Sequence, residues 1–236
     1  LASPATGAEF DSNGIKLHYT IEGKGEPVVL IHGLHSSAQL NWQLPGITTA
    51  LAKDHQVIAL DCRGHGQSGK PTADEQYGEA MAEDVVRLLD HLKLQQAHVI
   101  GYSMGGMVTL KLLVTHPERV KSAVLGGMGW LKTGGVLQQT WERMPGREGA
   151  AVPPACVRGL GRLAVTETEL KAVRVPVTVI VGERDPVRRL YVEPLQGARP
   201  DWPVRIIAGA GHLNCIAKPE FQAELRKALG SGAGSR

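Results

Sequence analysis

Short, continuous apolar runs recur along the 236-residue chain, and they limit its possible folds more than any other feature. Valine and isoleucine dominate most of them. The runs are PVVLIHG (27–33), QVIALD (56–61), AHVIGYS (97–103), VKSAVLGG (120–127), VPVTVIVGE (175–183) and VRIIAGAG (204–211). A run that is apolar at every position, rather than at alternate positions, is typical of a strand covered on both faces. The runs therefore predict a parallel sheet with helices packed on either side.

The segments around these runs complete the predicted fold. Residues 79–92 place apolar side chains at helical spacing, and residues 104–115 and 220–229 carry similar stripes. At the start of the chain, residues 8–21 alternate around Asn13-Gly14, which is a favoured two-residue hairpin turn. The sequence thus predicts an α/β fold: a doubly wound, mostly parallel sheet of eight strands, with an antiparallel N-terminal hairpin and helices on both faces.

One stretch, residues 128–171, interrupts the alternation of strands and helices. Glycines, a Pro-Pro pair, two tryptophans and two methionines replace it there. The stretch is longer than an ordinary connection, which indicates an insertion with some helix of its own. We expect a single domain over residues 1–236, in which this insertion forms a short lid above the edge of the sheet.

Charge and composition exclude several classes of function. The net charge of +3 is spread along the chain and aromatic residues make up only 4%, so nucleic acid is not an expected partner. Cys62, Cys156 and Cys215 are odd in number and far apart, which does not indicate a disulfide framework or a zinc site. No cluster has metal-ligand spacing, and the nucleotide fingerprint G-x-G-x-x-G is missing after the first parallel strand. We expect no cofactor, a small-molecule substrate, and a monomer or weak homodimer.

Two features bear on the compartment. No apolar run reaches the roughly 18 residues that a membrane helix needs. The first residues, LASPATGA, are small and do not begin with methionine. They are consistent with the remainder of a cleaved signal peptide, which would indicate a secreted or periplasmic protein, or with a shortened cytoplasmic chain, and both interpretations stay open.

The sequence GYSMGG places Ser103 where the predicted strand 97–102 ends and the predicted helix 104–115 begins. A tight strand-to-helix turn forces its middle residue into a strained conformation, and small residues two positions before and after it, here Gly101 and Gly105, avoid collision. The serine hydroxyl would then be exposed at a helix N-terminus, where backbone N–H groups can stabilise a developing negative charge.

This pattern resembles the nucleophile elbow of the α/β-hydrolase family, and the resemblance extends over nearly the whole chain, residues 10–229. The motif HGLHSS (32–37) resembles the His-Gly-X oxyanion loop of that family. The resemblance implies an oxyanion hole formed by the backbone N–H groups of Leu34 and Met104. It also implies a chiefly structural role for DCRGHGQS (61–68).

A serine nucleophile needs a base, and the base needs a group that fixes its tautomer. Asp185 follows the predicted strand 176–181, and His212 follows the predicted strand 204–208. Together with Ser103 they have the chain order serine, acid, histidine that the family shows. The resemblance therefore implies a Ser-His-Asp triad and an acyl-enzyme intermediate.

Other polar residues have competing interpretations. Glu183 lies two residues from Asp185 and is the alternative acid, although we favour Asp185. His32 and His65 are interpreted as residues that brace loops, and Cys62 and Cys215 as small buried side chains rather than nucleophiles.

Candidate pocket residues lie near the predicted oxyanion loop, at the elbow and in the insertion. We expect His35 and Tyr102 to line the substrate pocket, and Trp130, Trp141 and Met144 to roof it. Solvent exposure is the alternative for His35, and the favoured one, and packing within the lid is the alternative for the last three residues.

The family resemblance leaves the reaction open. A carboxylesterase that prefers short to medium acyl chains is the first hypothesis, because the predicted lid is short. A hydrolase of carbon–carbon bonds, a perhydrolase, and a ligand receptor with vestigial hydrolysis are the alternatives. Dehalogenases and epoxide hydrolases of the family carry aspartate at the elbow, so the serine argues against both.

Overall fold

A computed structural model describes residues 6–145, 147 and 149–230 of the chain. Residues 1–5, most of the segment LASPATGA whose two interpretations bear on the compartment, lie outside this part. Within it, one sheet has the strand order β1-β2-β4-β3-β5-β6-β7-β8. The strands are β1 (Thr6–Ser12), β2 (Ile15–Glu22), β3 (Glu26–Ile31), β4 (His55–Leu60), β5 (Ala97–Tyr102), β6 (Val120–Gly126), β7 (Val177–Gly182) and β8 (Val204–Ile207).

The direction of the strands agrees with the pattern of the sequence. β1 and β2 form an antiparallel hairpin, and β2 also pairs antiparallel with β4. From β4 to β8, every neighbouring pair is parallel. The predicted fold class, a mostly parallel eight-stranded sheet with an antiparallel N-terminal hairpin, is confirmed.

Helices connect the parallel strands, and three of them occupy the segments with helical spacing. The helices are α1 (Ile47–Leu51), α2 (Glu79–His91), α3 (Met104–Thr115), α4 (Val136–Arg143), α5 (Pro154–Gly159), α6 (Glu167–Ala172), α7 (Glu193–Ala198) and α8 (Pro219–Ala228). In the described part of the chain, none of them combines the length and the apolar character that crossing a bilayer requires.

Two apolar cores explain why the strands are apolar at every position. On β3, Val29 and Ile31 belong to a core that includes side chains of α2 and α3. The alternate residues, Val28 and Leu30, belong to a second core on the other face, which α1 and α8 help to form. Because successive side chains of a strand point to opposite faces, a strand covered on both sides has no polar face.

The segment 128–171 contains α4, α5 and all but the last residue of α6. It packs against α3 and against a 3-10 turn at Asp74–Gln76. Arg158 on α5 forms an ion pair with Asp74, with a nitrogen–oxygen distance of 2.6 Å. The segment thus has helices of its own, whereas its role as a lid stays a prediction.

Candidate active site

Ser103 occupies a sharp turn between β5 and α3. Its φ and ψ angles are 53° and −116°, a region that residues other than glycine rarely adopt. Two neighbouring positions must be glycine, because other backbone atoms lie where a side chain would begin. A Cβ atom on Gly101 would lie 2.0 Å from the carbonyl oxygen of Gly105, and a Cβ on Gly105 would lie 2.0 Å from that of Ile31. Only glycine fits at these two positions.

The imidazole of His212 lies between a hydroxyl and a carboxylate. Its Nε2 is 2.9 Å from Ser103 Oγ, and its Nδ1 is 2.8 Å from Asp185 Oδ2. The three residues follow β5, β7 and β8, so the carboxyl ends of parallel strands bring them together at one edge of the sheet. A carboxylate can only accept, so Nδ1 carries the proton and Nε2 is free to receive the proton of the serine hydroxyl.

The two candidate acids have different surroundings. The side chain of Asp185 is fully buried, and its second oxygen accepts a hydrogen bond from the backbone N–H of Val187 at 2.9 Å. Glu183 Oε2 instead accepts from the backbone N–H of Gly209 at 2.8 Å. Asp185 is therefore the carboxylate that contacts the imidazole, and Glu183 braces the loop after β8.

Tyr102 contacts both the ring and the backbone of His212. Its ring centroid is 5.6 Å from that of the imidazole, and its hydroxyl donates to the backbone carbonyl oxygen of His212. Burial raises the pKa of the Tyr102 hydroxyl well above its usual value, so this group stays a donor. The tyrosine thus fixes the loop on which the histidine lies.

The loop after β3 is held by side chains that orient its peptide groups. His32 Nε2 accepts the backbone N–H of Cys62 at 3.0 Å, so the other ring nitrogen must be the donor to the carbonyl oxygen of Gly33, at 2.8 Å. Asn41 Oδ1 accepts the backbone N–H of Gly33 at 2.7 Å. Because the C=O and N–H of a trans peptide point in opposite directions, fixing the Gly33 carbonyl also fixes the N–H of Leu34.

The two backbone N–H groups expected to form the oxyanion hole are available. Within the described ranges, neither the N–H of Leu34 nor that of Met104 has an acceptor. Met104 is the first residue of α3, where N–H groups have no partner inside the helix. A Cβ atom on Gly33 would lie 3.3 Å from Ser103 Cβ, so the loop directly adjoins the serine. Both donors can therefore face an oxygen that develops charge there.

A cavity of about 340 Å³ opens beside Ser103, and we call it the triad cavity. Leu40 and Leu213 are 55% and 92% exposed and form an apolar rim. The residues that line the cavity are Gly33, Leu34, His35, Ser36, Leu40, Asn41, Tyr102, Ser103, His212, Leu213 and Ile216. Both His35 and Tyr102, the candidate pocket residues near the oxyanion loop and the elbow, are among them.

Trp130, Trp141 and Met144 lie elsewhere. None of them is among the described residues that line the triad cavity. The indole N–H of Trp130 donates to the carbonyl oxygen of Val165 at 2.7 Å, and that of Trp141 donates to the hydroxyl of Tyr191 at 3.0 Å. Of the two interpretations, packing within the insertion is the one that the contacts of both tryptophans support, because Trp130 belongs to the apolar core beneath the insertion and Trp141 packs against it.

The thiols are poor candidates for a nucleophile. Cys62 and Cys215 are buried and free. Burial raises the pKa of Cys62 well above its usual value and that of Cys215 to about 12, so neither forms a thiolate near neutral pH. Among the described residues, no group of three or more histidine, cysteine, aspartate or glutamate side chains has an arrangement that could hold a metal ion.

Sequence reasoning missed Asn41, Leu40 and Leu213. No motif marks them: the first two lie on a π-helical turn at Gln39–Gln43, and the third directly follows His212. Only the position of Leu213 beside a predicted catalytic residue was a usable signal.

Comparisons with known proteins agree with this geometry. A family model described as alpha/beta hydrolase fold matches residues 26–163. The 2-hydroxymuconate semialdehyde hydrolase of Pseudomonas sp. (strain CF600) is 40% identical over 128 residues, which are 53% of this chain and 44% of that protein. The chain thus spans less than half the length of this curated relative.

Solved structures resemble the whole described fold at low sequence identity. The epoxide hydrolase VrEH1 from Vigna radiata superposes with a TM-score of 0.77 at 19% identity, covering 96% of this chain and 98% of that one. The 2-hydroxy-6-oxo-6-phenylhexa-2,4-dienoate hydrolase from Rhodococcus sp. strain RHA1 has a TM-score of 0.76 at 21% identity, covering 96% and 99%. At such identities the likeness concerns the fold alone.

Proposed function

The chain belongs to the α/β-hydrolase fold family, and on this basis we propose that it is a serine hydrolase that cleaves carboxylic esters. One observation supports the proposal above all: the His212 ring lies within hydrogen-bond distance of both Ser103 Oγ and Asp185 Oδ2. A serine hydroxyl with a positioned base and an oriented acid is the arrangement that acyl transfer requires.

The proposed reaction has two halves. His212 Nε2 takes the proton of Ser103 as Oγ attacks the ester carbonyl carbon, and the N–H groups of Leu34 and Met104 bind the oxyanion. Asp185 stabilises the imidazolium that forms. The imidazolium then gives its proton to the leaving alcohol as the carbon–oxygen ester bond breaks, which leaves an acyl-enzyme. Water, activated by His212, releases the acid and restores the serine.

We expect a preference for short to medium acyl chains. The triad cavity, at about 340 Å³, is near the small end of the roughly 300–1,000 Å³ usual for ligand sites. A series of 4-nitrophenyl esters from acetate to palmitate tests this preference. Highest kcat/KM at C12 or longer would contradict it and favour a lipase.

The ester assay also tests the proposal itself. Wild-type protein should turn over many times, and Ser103→Ala should lower kcat by about six orders of magnitude. Turnover that survives this substitution, or no turnover of any ester in a broad panel, would contradict the proposal. The second result would favour the receptor alternative.

A second candidate is hydrolysis of a carbon–carbon bond, which the 40% identity to the semialdehyde hydrolase supports. The same triad could serve both reactions. Incubation with 2-hydroxymuconate semialdehyde distinguishes them: a kcat/KM above that for every ester would favour this candidate over an esterase.

A further inference from the structure

Asn41 offers a hydrogen-bond donor that the proposed mechanism does not use. Its Oδ1 accepts the backbone N–H of Gly33 at 2.7 Å. Because Gly33 contributes a donor, the side-chain atom that faces it must be the oxygen, which settles the orientation of the amide. The Nδ2 group, with two N–H donors, therefore faces away from Gly33.

Asn41 lines the triad cavity, and the free end of its amide is not sealed from solvent. No acceptor for Asn41 Nδ2 is present among the described residues, and this nitrogen is not one of the unpartnered polar atoms that are sealed from solvent. The residue lines the cavity although it is only 8% exposed. A buried polar side chain that lines a substrate cavity and keeps donors without an acceptor in the described protein is poised to bind a substrate acceptor.

The local backbone holds Asn41 in this position. Residues Gln39–Gln43 form a π-helical turn, in which the N–H of Leu44 donates to the carbonyl oxygen of Gln39 at 2.9 Å. Such turns are rare and occur often at functional sites. The fully buried ring of Trp42 anchors the turn in the core, so the amide of Asn41 is presented by a rigid element.

The charges of the cavity limit which acceptor can bind. Neither lysine nor arginine is among its described lining residues, and its ionisable side chains other than Tyr102 are His35 and His212. A carboxylate that entered would lose hydration without gaining a permanent cation. An uncharged oxygen, such as that of a ketone, ether, hydroxyl or amide, fits this site better.

We propose that Asn41 Nδ2 binds a second, uncharged oxygen of the substrate, separate from the oxygen of the bond that is cleaved. The inference rests on the proposed function, because it assigns the reacting carbonyl oxygen to the N–H groups of Leu34 and Met104. It narrows the substrate class to oxygenated esters and makes Asn41 a specificity determinant as well as a brace for the oxyanion loop.

Matched ester pairs separate these two roles of Asn41. The 4-nitrophenyl esters of pentanoate, 3-oxopentanoate and 4-oxopentanoate offer an extra oxygen on the acyl side. Butyl and 2-methoxyethyl butanoate do so on the alcohol side. For each pair, the quantity compared is the kcat/KM of the oxygenated ester divided by that of its plain partner, normalised to the same ratio for alkaline hydrolysis. Because both esters of a pair react at the same centre, a change in the oxyanion loop affects both values of kcat/KM and largely cancels in this ratio.

For at least one pair, wild-type protein should favour the oxygenated ester about five- to tenfold, as one hydrogen bond between uncharged groups allows. Asn41→Leu, which has a similar shape but no donor, should bring that ratio close to one. The control variant Leu40→Ala changes the apolar rim on the same turn and should alter both rates together. Ratios near one for every pair in wild type, or unchanged ratios in Asn41→Leu with an intact fold, would overturn the proposal.

A binding measurement keeps this inference distinct from the esterase proposal. Calorimetry on Ser103→Ala compares methyl 4-oxopentanoate with methyl pentanoate, and 2-methoxyethyl with butyl butanoate. At least one oxygenated ester should bind several times more tightly than its partner. The difference should disappear in the Ser103→Ala, Asn41→Leu double variant. If wild type hydrolyses no ester, the esterase proposal fails, and this comparison alone decides the role of Asn41: equal affinities within both pairs would refute it.

Discussion

Replacing Ser103 with glycine is expected to give a more stable protein than replacing it with alanine, although both substitutions remove the same hydroxyl. The reason is the backbone at this residue, where φ is 53° and ψ is −116°. A side chain with a Cβ is strained there, whereas glycine adopts this region readily. Alanine keeps the strain, and glycine relieves it.

The expected size of the difference follows from two opposing terms. Backbone strain at such a residue costs about 1–3 kcal/mol. Glycine has more conformational freedom in the unfolded chain, which opposes folding by about 0.5–1 kcal/mol relative to alanine. The net difference in the free energy of unfolding should therefore be about 0–2.5 kcal/mol in favour of Ser103→Gly. At about 2–4 °C per kcal/mol for a chain of this size, the upper end of that range is roughly 5–10 °C in Tm.

Thermal and urea unfolding of the two variants, followed by circular dichroism, measure this difference. Both lack the serine hydroxyl that neighbours His212 Nε2, so the loss of that contact cancels between them. Both should also be inactive on esters. A Ser103→Gly protein that is less stable than Ser103→Ala would refute the view that the turn stores strain to present the hydroxyl.

Five further substitutions, two of them matched controls, extend these tests. Gly105→Ala would place a Cβ 2.0 Å from a backbone oxygen and should lower the free energy of unfolding by about 3 kcal/mol or more. Its control, Gly197→Ala, has open space around the new Cβ and should raise the free energy of unfolding by about 0.5–1 kcal/mol. Urea unfolding measures both changes. Asp185→Asn should lower kcat about 10⁴-fold and Glu183→Gln less than tenfold, and similar losses in a 4-nitrophenyl ester assay would contradict the assignment of the acid. Burial lowers the pKa of His65 to about 3 in the folded protein, whereas in the unfolded chain the pKa of a histidine is about 6.5. Below about pH 6.5 the unfolded chain therefore binds a proton that the folded protein does not. As a result, this group should lower the free energy of unfolding by about 2 kcal/mol from pH 7 to pH 5. Urea unfolding of His65→Gln should show a flatter pH dependence, and an unchanged one would contradict this reasoning.

The sequence predicted the parts of this structure that depend on local pattern. Each continuous apolar run contains a strand, and burial on both faces explains most of them, as Val28 and Val29 illustrate with their opposite cores. The last strand, β8, differs, since Arg205 and Ile206 are exposed at the edge of the sheet. The elbow was also recognisable, since a turn that tolerates only glycine at Gly101 and Gly105 leaves its mark on the sequence. The predicted ends of later strands then indicated His212 as the base and Asp185 as the acid.

The walls of the cavity were harder to predict. Trp130 and Trp141 lie in a segment without periodicity, so nothing in the sequence distinguished a place in the core from one above the serine. Asn41 has no motif either. Its role depends on a π-helical turn and on contact with Gly33, and neither follows from residue spacing.

Covalent labelling tests the central claim most directly: that His212 and Asp185 activate the hydroxyl of Ser103. The measurement is intact-protein and peptide mass spectrometry after incubation with a fluorophosphonate. We expect a single adduct on Ser103, absent in Ser103→Ala and formed far more slowly in His212→Ala. An adduct on another residue, no adduct, or an equal labelling rate in the His212 variant would contradict the account.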